Sequence, residues 1–358
     1  MPPLSSETIE NVPAVPLVVD VDGSLVRGDL LTEGLLRLLA VSPAKLLAVP
    51  FLLATGRARM KRWLAQHSGV LPAATLVLNP TVVHEIDDAR EAGREVWLAS
   101  GSDELVVAPL AKEVGATGFF ASDGRSNLVG GAKAALLVER FGEHGFDYVG
   151  NERRDLAVWK RARRAIGVDL SLRLARQVKT VDRHARLLHG IGGGGVDFLR
   201  ALRPRQWMAA LLVFAPVAAA PEAQTGHYLT AAGMAAALSA CASSRSIFED
   251  LLNLPVDRLD GGRRYQPMAA GKAHLPAMIA VGSALGAAGL ALPFWLSPAA
   301  GLAASLYALL GLCYLLWLRQ KRLLGPFSRA LFNVFPLPAG LTVGPASALS
   351  WIGTFWGA

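Results

Sequence analysis

The sequence has only two cysteines among its 358 residues, and both lie in apolar stretches. Cys241 and Cys313 are therefore expected to behave as small hydrophobic residues rather than as metal ligands or disulfide partners. The N-terminus also lacks the basic region and the apolar core of a secretory signal. We accordingly expect the first part of the chain to stay in the cytosol.

Charged residues are scarce in the second half of the chain. Up to about Arg205, acidic and basic residues alternate with short apolar runs, whereas long stretches after Trp207 carry no charge. This contrast predicts a soluble first half and a lipid-facing second half. The net charge of +8 is concentrated between Arg153 and Arg205 and in two loops beside apolar segments. It indicates contact with a membrane surface rather than with nucleic acid.

Two carboxylates follow the first strand-like run of the chain. Residues 16–25, PLVVDVDGSL, predict a buried parallel strand that presents Asp20 and Asp22 at its carboxyl end. One aspartate can attack a phosphorus atom, and the other can exchange a proton with the leaving group. A solvated acidic turn is the alternative interpretation of a lone Asp-x-Asp pattern.

Three later segments supply groups that suit phosphate chemistry. Residues 95–102, EVWLASGS, predict a strand ending in Ser100, whose hydroxyl can contact a phosphoryl oxygen. Lys133 opens a predicted helix in NLVGGAKAALLVERF and can neutralise phosphate charge. Asn151 and Asp155 follow a third predicted strand and offer oxygen atoms to magnesium.

In this order, the motifs from about Leu17 to Ala157 resemble those of the haloacid dehalogenase superfamily. The resemblance implies an α/β Rossmann-like fold with a helical cap, a phosphomonoester substrate and Mg²⁺ as cofactor. The residues that it implies are Asp20 as nucleophile, Asp22 as general acid and base, Ser100 and Lys133 as phosphate ligands, and Asp20, Asp22, Asn151 and Asp155 around the metal. Asn151 stands where many members carry an acid, which removes a charge but keeps an oxygen ligand.

The first domain is predicted to cover residues 1–160, with the cap at about 30–90. Ordinary helix packing also explains the apolar stripes of this insert. Its segment 43–56, PAKLLAVPFLLATG, has about ten consecutive apolar residues, too few for the roughly 20 that span a bilayer, but enough to touch a membrane surface. Residues 161–200 predict a basic helical and glycine-rich linker on anionic lipid, or else a solvated helix.

Residues 201–358 predict an all-α membrane domain with about five spans. The segments are Trp207–Ala220, His227–Ser243, Leu275–Leu296, Ala299–Leu318 and Leu331–Trp356. Arginine and lysine lie in every second loop between the predicted spans. The intervening loops, APEAQTGHY and LSPAAG, contain neither residue. The positive-inside rule therefore predicts a multi-pass protein of the inner (cell) membrane whose basic loops and N-terminal domain face the cytosol.

A group of carboxylates lies at the predicted cytosolic end of the second span. Asp250, Asn253 and Asp257 recur at helical spacing and so share one face, where a magnesium diphosphate can bind. Arg258 and Lys272 follow and can hold phosphate oxygens. An ordinary charged loop is the alternative.

This stretch resembles the UbiA-type prenyltransferase superfamily, and the segment LRPRQWMAALLVFAP, which includes Arg203, resembles its decaprenyl-phosphate phosphoribosyltransferase branch. The resemblance implies that a polyprenyl phosphate displaces diphosphate from 5-phosphoribosyl diphosphate, with Mg²⁺ held by Asp250 and Asp257. The residues predicted to bind substrate in this region are Arg203, Asn253, Arg258 and Lys272.

The membrane half departs from this pattern. Glu249 and Asn253 replace signature residues, Ala209 and Ala210 replace an expected lysine and asparagine, and no acidic residue follows Asp260. Either the sequence is truncated or the membrane half has lost catalysis. The chain is thus interpreted as a bifunctional membrane enzyme, as a phosphatase on an inactive membrane scaffold, or as a protein in which neither half is a competent enzyme.

Overall fold

The computed structural model describes residues 14–69, 72–190 and 193–345. The chain divides into two compact units, Met1–Gly192 (unit 1) and Gly193–Ala358 (unit 2). Among the described residues, unit 1 contains strands and helices, whereas unit 2 is built from helices.

Unit 1 is organised around a six-stranded sheet in which every pairing is parallel. The strands are β1 (Leu17–Asp20), β2 (Val96–Asp103), β3 (Gly118–Ser122), β4 (Asp147–Gly150), β5 (Arg164–Val168) and β6 (Arg186–Leu188). Their spatial order is β3-β2-β1-β4-β5-β6. The order reverses at β1, so the carboxyl ends of β1, β2 and β4 border the crevice where open α/β sheets bind their ligands.

Both faces of the sheet are covered, which explains why β1 is a continuous apolar run. The helices of unit 1 are α1 (Leu30–Val41), α2 (Val49–Thr55), α3 (Arg57–His67), α4 (Pro80–Glu91), α5 (Glu104–Glu113), α6 (Gly131–Phe141), α7 (Leu156–Trp159) and α8 (Leu172–Val181). Val19 packs into one apolar core with Val82 and Ile86 of α4. Val18 enters a second core with Leu137 and Trp159. Helices α1 to α3 lie inside the predicted cap region, between β1 and α4.

The structure differs from the predicted linker at 161–200. This segment contains β5, α8 and β6, so the sheet of unit 1 extends to Leu188. The buried residues Ala165, Ile166 and Val168 explain the difference, because they form a strand that pairs with β4 on one side and β6 on the other. The basic residues around this strand made the segment resemble a surface helix in the sequence.

Unit 2 contains two helices that are long and apolar enough to cross a membrane. Its helices are α9 (Gly195–Ala201), α10 (Trp207–Ala210), α11 (Phe214–Ala219), α12 (Thr225–Leu259), α13 (Leu275–Leu296), α14 (Pro298–Leu316), α15 (Leu324–Val334) and α16 (Pro336–Gly340). By length and composition, α13 and α14 are the candidate spans within the described part of the chain. In the most apolar 18-residue stretch of each helix, only 22% of α13 and 33% of α14 is buried. The core helix of a soluble protein is mostly buried.

The remaining predicted spans have a different form. Residues 207–219 form α10, a 3₁₀ turn and α11, which together are shorter than the roughly 20 residues that a span requires. This run ends at Ala220, which is extended because it precedes Pro221. The second predicted span lies within the 35-residue helix α12. Of the fifth, residues 346–356 lie outside the described part of the chain.

Small residues allow α12 and α13 to approach closely. A Cβ atom added to Gly289 of α13 would lie 2.5 Å from the sulfur of Cys241 and 2.8 Å from the carbonyl oxygen of Ala237 on α12. Glycine at such a contact brings helix backbones together, and it is the residue type that helix interfaces in membranes favour.

Asp147 in β4 is paired with arginines from two other segments of unit 1. It is buried and accepts hydrogen bonds from Arg94 (2.5 Å) and from two nitrogens of Arg163 (2.8 and 2.7 Å). We predict that Asp147→Ala lowers the free energy of unfolding of unit 1 by about 1–3 kcal/mol, since three charged hydrogen bonds are lost and Arg94 keeps only its bond to the Val15 carbonyl oxygen. Urea unfolding of the full chain in detergent, followed by tryptophan fluorescence, measures this change. Glu143→Ala, which breaks an exposed pair with Arg161, should have little effect; equal effects of the two substitutions would contradict the prediction.

Candidate active site

A buried ion pair lies at the carboxyl end of the central strand. Nζ of Lys133, at the start of α6, donates to Oδ1 of Asp20 over 2.5 Å and also to the carbonyl oxygen of Ala99 and the hydroxyl of Tyr148, each over 3.1 Å. The second oxygen of Asp20 accepts from the Ser24 hydroxyl at 3.1 Å. Burial raises the pKa of Asp20 to about 7, against the opposing effect of Lys133. All three ammonium donors of Lys133 are used, so its charge is fixed at one point beside Asp20.

Asp22 is held by donors from two other segments. Its Oδ2 accepts from the hydroxyls of Ser100 (2.9 Å) and Ser102 (2.8 Å), and its Oδ1 accepts from the backbone N–H of Leu30 (2.9 Å). Burial raises the pKa of Asp22 above its ordinary value, and these three hydrogen bonds oppose that effect. The structure thus brings Ser100 of β2 beside Asp22, where its hydroxyl is a donor.

Asp155 is oriented by the β4 strand and by the turn that follows it. Its Oδ1 accepts from the hydroxyl of Tyr148 at 2.9 Å, and its Oδ2 accepts from the backbone N–H groups of Asn151 and Glu152, each at 3.0 Å. Tyr148 therefore links Asp155 to Lys133 and, through Lys133, to Asp20. Burial raises the pKa of this phenol well above its usual value, which keeps it a hydrogen-bond donor.

The turn after Asp22 requires glycine. Gly23 has a φ of +81°, and a Cβ atom at this position would lie 2.0 Å from Nδ2 of Asn151. The side chain of Asn151 is therefore packed directly on the backbone of the Asp22–Gly23 turn. This close approach joins the ends of β1 and β4.

The residues at these strand ends fit a magnesium ion. Oδ1 of Asn151 is shielded from solvent and has no hydrogen-bond partner among the described residues. The carboxylates of Asp20 and Asp155 lie at the same strand ends, where the first contacts Lys133 and the second contacts Tyr148. No group of three His, Cys, Asp or Glu side chains in the described ranges has a metal-binding arrangement. Mg²⁺ is commonly held by one or two carboxylates and keeps several waters, so a set of two carboxylates and neutral oxygens suits it.

The helical insert contacts this site through Lys61 of α3. Nζ of Lys61 donates to the carbonyl oxygen of Gly101 (2.6 Å) and to Oδ1 of Asn127 (3.1 Å). Burial lowers the pKa of this ammonium, while Asp22 and Asp29 raise it. The cavity between α1, α3 and Ser102 measures about 20 Å³, which is room for about one water molecule.

Four residues of this region, Tyr148, Ser102, Ser24 and Lys61, were not predicted from the sequence. Ser102 and Ser24 lie inside the two quoted motifs, two residues from Ser100 and Asp22, so their spacing along the chain was an available signal. Tyr148 is a polar-tipped residue in a buried strand, which is a weaker signal. No sequence signal relates Lys61 to β2, because the contact joins residues 40 positions apart.

Unit 2 contains a separate polar cavity of about 750 Å³. Among the described residues, five arginines and three carboxylates line it: Arg200, Arg203, Arg245, Arg263, Arg329, Glu249, Asp250 and Asp257. The predicted residues Asn253 and Arg203 also line this cavity, whereas Arg258 and Lys272 are not among its lining residues. Arginine therefore outnumbers acid here, and the cavity favours an anionic ligand.

Each carboxylate of this cavity has an arginine partner. Asp250 accepts from Arg203, and Asp257 accepts from Arg263 at 3.3 Å. Glu249 accepts from the hydroxyl of Tyr314 (2.8 Å) and from Arg329 (2.7 Å) with one oxygen.

The other oxygen of Glu249 accepts from Arg245 at 3.3 Å. Asn253 accepts from Arg319 at 2.7 Å. The predicted metal ligands Asp250 and Asp257 thus each accept a hydrogen bond from an arginine in this structure.

Arg203 reaches Asp250 from a strained backbone. Its φ is +53°, in the left-handed region, although it is not glycine and precedes a proline. Such a conformation costs on the order of 1–3 kcal/mol and persists only where surrounding contacts impose it. The pairing with Asp250 is one such contact.

No family model matches this sequence. An uncharacterised protein of Sinorhizobium fredii, designated y4nM, is 30% identical over 314 residues, which are 87% of this chain and 60% of that protein. The chain thus spans about three fifths of the length of this relative.

Several solved structures resemble about half of the chain. A protein of unknown function from Bordetella pertussis Tohama I has 15% identity and a TM-score of 0.39, and the match covers 49% of this chain and 98% of that one. A substrate-bound phosphoserine phosphatase has 16% identity, a TM-score of 0.34 and coverage of 49% and 93%. A probable phosphoserine phosphatase from Vibrio cholerae has 16% identity, a TM-score of 0.36 and coverage of 51% and 64%. These similarities are too low to establish a family.

The metal fit makes a prediction that does not depend on any activity. Mg²⁺ should raise the unfolding temperature of unit 1 in the full chain, because a ligand that binds only the folded state stabilises it by roughly 2.7 kcal/mol at a hundredfold excess over its Kd. Asn151→Ala should reduce this shift, since one oxygen donor is removed. Asp123→Ala, which removes an exposed acid outside the site, should leave it unchanged. Equal Mg²⁺ shifts in all three proteins would show that the ion binds elsewhere.

Proposed function

We propose that unit 1 is a magnesium-dependent phosphatase of the haloacid dehalogenase type that acts on phosphomonoesters. The observation that carries this proposal is the meeting of Asp20, Asp22, Lys133 and Asp155 at the carboxyl ends of β1, β2 and β4. These residues come from three separate motifs, and they are the groups that a phosphoryl transfer through an aspartate requires.

In the proposed reaction, a carboxylate oxygen of Asp20 attacks the phosphorus atom. The bond between phosphorus and the ester oxygen breaks, and Asp22 gives its proton to the leaving oxygen. Asp22 then takes a proton from a water molecule, which attacks the phosphoryl group and releases Asp20 and inorganic phosphate. Ser100 and Lys133 are proposed to hold phosphoryl oxygens during both steps.

Asp20, Asp155, the Asp22 carbonyl and Asn151 would hold Mg²⁺, which supplies positive charge to stabilise the transferring phosphoryl group. Tyr148 positions Asp155 through its 2.9 Å hydrogen bond. The insert α1–α3 is proposed to act as the cap. Lys61 of α3 donates to the Gly101 carbonyl oxygen of β2, so opening of the proposed cap would break this contact.

Exchange of Asp20 tests the phosphatase directly. Asp20→Asn should lower phosphate release from a panel of phosphomonoesters by roughly 10³-fold or more, because the amide is a poor nucleophile. Asp123→Asn is the matched control, since this exposed aspartate lies outside the site, and its rate should equal that of the unchanged protein. A rate that survives Asp20→Asn with Mg²⁺ present would remove Asp20 as nucleophile.

We propose that unit 2 is a multi-pass, UbiA-like membrane domain of the cell membrane, with unit 1 on the cytosolic side. The apolar helices α13 and α14 support the membrane assignment, and the positive-inside pattern supports the orientation. The arginine-lined cavity favours a phosphorylated ligand. In its active form, this domain would transfer a phosphoribosyl group from 5-phosphoribosyl diphosphate to a polyprenyl phosphate.

The alternative is an inactive membrane scaffold that anchors the phosphatase. The arginine partners of Asp250 and Asp257 favour it, as do Ala209 and Ala210 in place of the expected lysine and asparagine. The transferase gives the fusion a chemical reason, because its product would carry a 5-phosphate that unit 1 could remove.

A transfer assay separates these two functions. Membranes that contain the chain, polyprenyl phosphate and labelled 5-phosphoribosyl diphosphate should yield lipid-extractable label if unit 2 is a transferase. The double variant Asp250→Ala, Asp257→Ala is the control and should yield only background. Because both carboxylates are neutralised by arginine, we expect no label above this control, which is the scaffold result. Label well above the control would establish the transferase instead.

A further inference from the structure

The outer end of the helical insert in unit 1 is an apolar surface that unit 1 leaves uncovered. Residues 43–55, PAKLLAVPFLLAT, form a 3₁₀ helix (Pro43–Ala48) followed by α2, and we refer to them as the apolar tip. None of these residues is buried, although all except Lys45 and Thr55 are apolar. Leu47 is 76% exposed and Phe51 is 77% exposed.

Single exposed apolar residues are common on soluble proteins, but a contiguous group is not. Leu53 and Val41 extend the exposed surface on either side of Leu47 and Phe51. Burial of each leucine or phenylalanine would gain about 1.5–3 kcal/mol relative to exposure to water. Contiguous exposed apolar surface of this kind marks a site of interaction with another apolar surface.

The charges around the apolar tip identify what covers it. From Gly34 to His84 the chain contains no aspartate or glutamate, whereas it contains Arg37, Lys45, Arg57, Arg59, Lys61 and Arg62. Lys45, Arg57 and Arg59 lie in or next to the apolar tip and are exposed. An apolar surface bordered by cations, with no acid nearby, complements the acyl chains and anionic headgroups of a membrane.

We propose that the apolar tip inserts into the interfacial layer of an anionic membrane. Leu47, Phe51 and Leu53 would enter the acyl-chain boundary, while Lys45 and Arg57 contact lipid headgroups. The thirteen residues of this segment are too few to cross a bilayer, so they lie in the surface. The membrane domain proposed for unit 2 would make even a weak insertion effective, because a tethered segment has a high effective concentration at the lipid.

The position of the apolar tip also indicates a substrate class. This inference rests on the phosphatase function proposed for unit 1. Helix α3 follows the apolar tip after one residue, Gly56, and its Lys61 contacts the carbonyl oxygen of Gly101 beside the candidate active site. A tip held in the membrane therefore keeps the insert, and the end of β2 that Lys61 contacts, near the lipid surface. The substrate class that such a site favours is a phosphomonoester carried on a lipid.

Depth-dependent quenching tests the insertion in the full chain. In a Cys241→Ala, Cys313→Ala background, Phe51→Cys is labelled with the fluorophore NBD, and the protein is placed in nanodiscs of phosphatidylcholine and phosphatidylglycerol. The control is Leu172→Cys, labelled in the same way, since Leu172 is an 80% exposed leucine of α8, far from the apolar tip in sequence. We expect blue-shifted emission at position 51 and quenching by doxyl-labelled lipid several-fold stronger than at position 172.

Charge substitutions and a change of lipid composition test whether the insertion depends on anionic headgroups. Lys45→Glu with Arg57→Glu, or nanodiscs of phosphatidylcholine alone, should weaken the quenching at position 51. A blue shift without quenching would mean that a second copy or another protein covers the apolar tip. Emission typical of water, or equal quenching at both positions, would also overturn the proposal.

The substrate inference has its own measurement. Leu47→Glu with Phe51→Glu should reduce hydrolysis of a lipid-borne phosphomonoester several-fold and leave hydrolysis of a soluble phosphomonoester unchanged. Equal loss on both substrates would overturn the lipid-substrate inference. Lipid quenching in a protein without any phosphatase activity would retain the membrane insertion and reject the phosphatase, so the two failures are distinguishable.

Discussion

The buried ion pair between Lys133 and Asp20 is the constraint on which the architecture of unit 1 depends. Both residues are almost wholly shielded from solvent, and a buried charge is tolerated only with a partner and saturated hydrogen bonds. Lys133 meets this condition by contacting β1, β2 and β4 at once, through Asp20, Ala99 and Tyr148. Loss of one partner from such a pair typically costs about 3–5 kcal/mol. The same contact therefore holds the strand ends together and assembles the groups that the proposed chemistry uses.

The parts of unit 1 that the sequence predicted well are those with long apolar runs. β1 ends at Asp20, β4 ends one residue before Asn151 and α6 begins two residues before Lys133, because a strand buried on both faces leaves a clear signal. β2 continues past the predicted end at Ser100 to Asp103. β5 was missed because its buried run covers only four residues and follows several basic ones. The hydroxyl of Tyr148 was missed because a sequence does not say which buried strand residues point toward a neighbouring charge.

Unit 2 shows the same division between local and long-range information. The predicted segment Leu275–Leu296 coincides with α13, since continuous hydrophobicity is a local property. The pairing of Glu249 with Arg329 joins residues 80 positions apart, and no spacing rule predicts it. These pairs give Asp250, Asp257 and Glu249 arginine partners in a cavity where arginine outnumbers acid.

The central claim is that Asp20 carries the phosphoryl group, and trapping that intermediate tests it most directly. The full chain is mixed with Mg²⁺ and a phosphomonoester, quenched in acid and reduced with borohydride, which converts an aspartyl phosphate to homoserine, and its peptides are then sequenced by mass spectrometry. We predict homoserine at position 20 and unmodified aspartate at positions 22 and 155. Phosphate release with homoserine at another position, or with no modified aspartate, would contradict it.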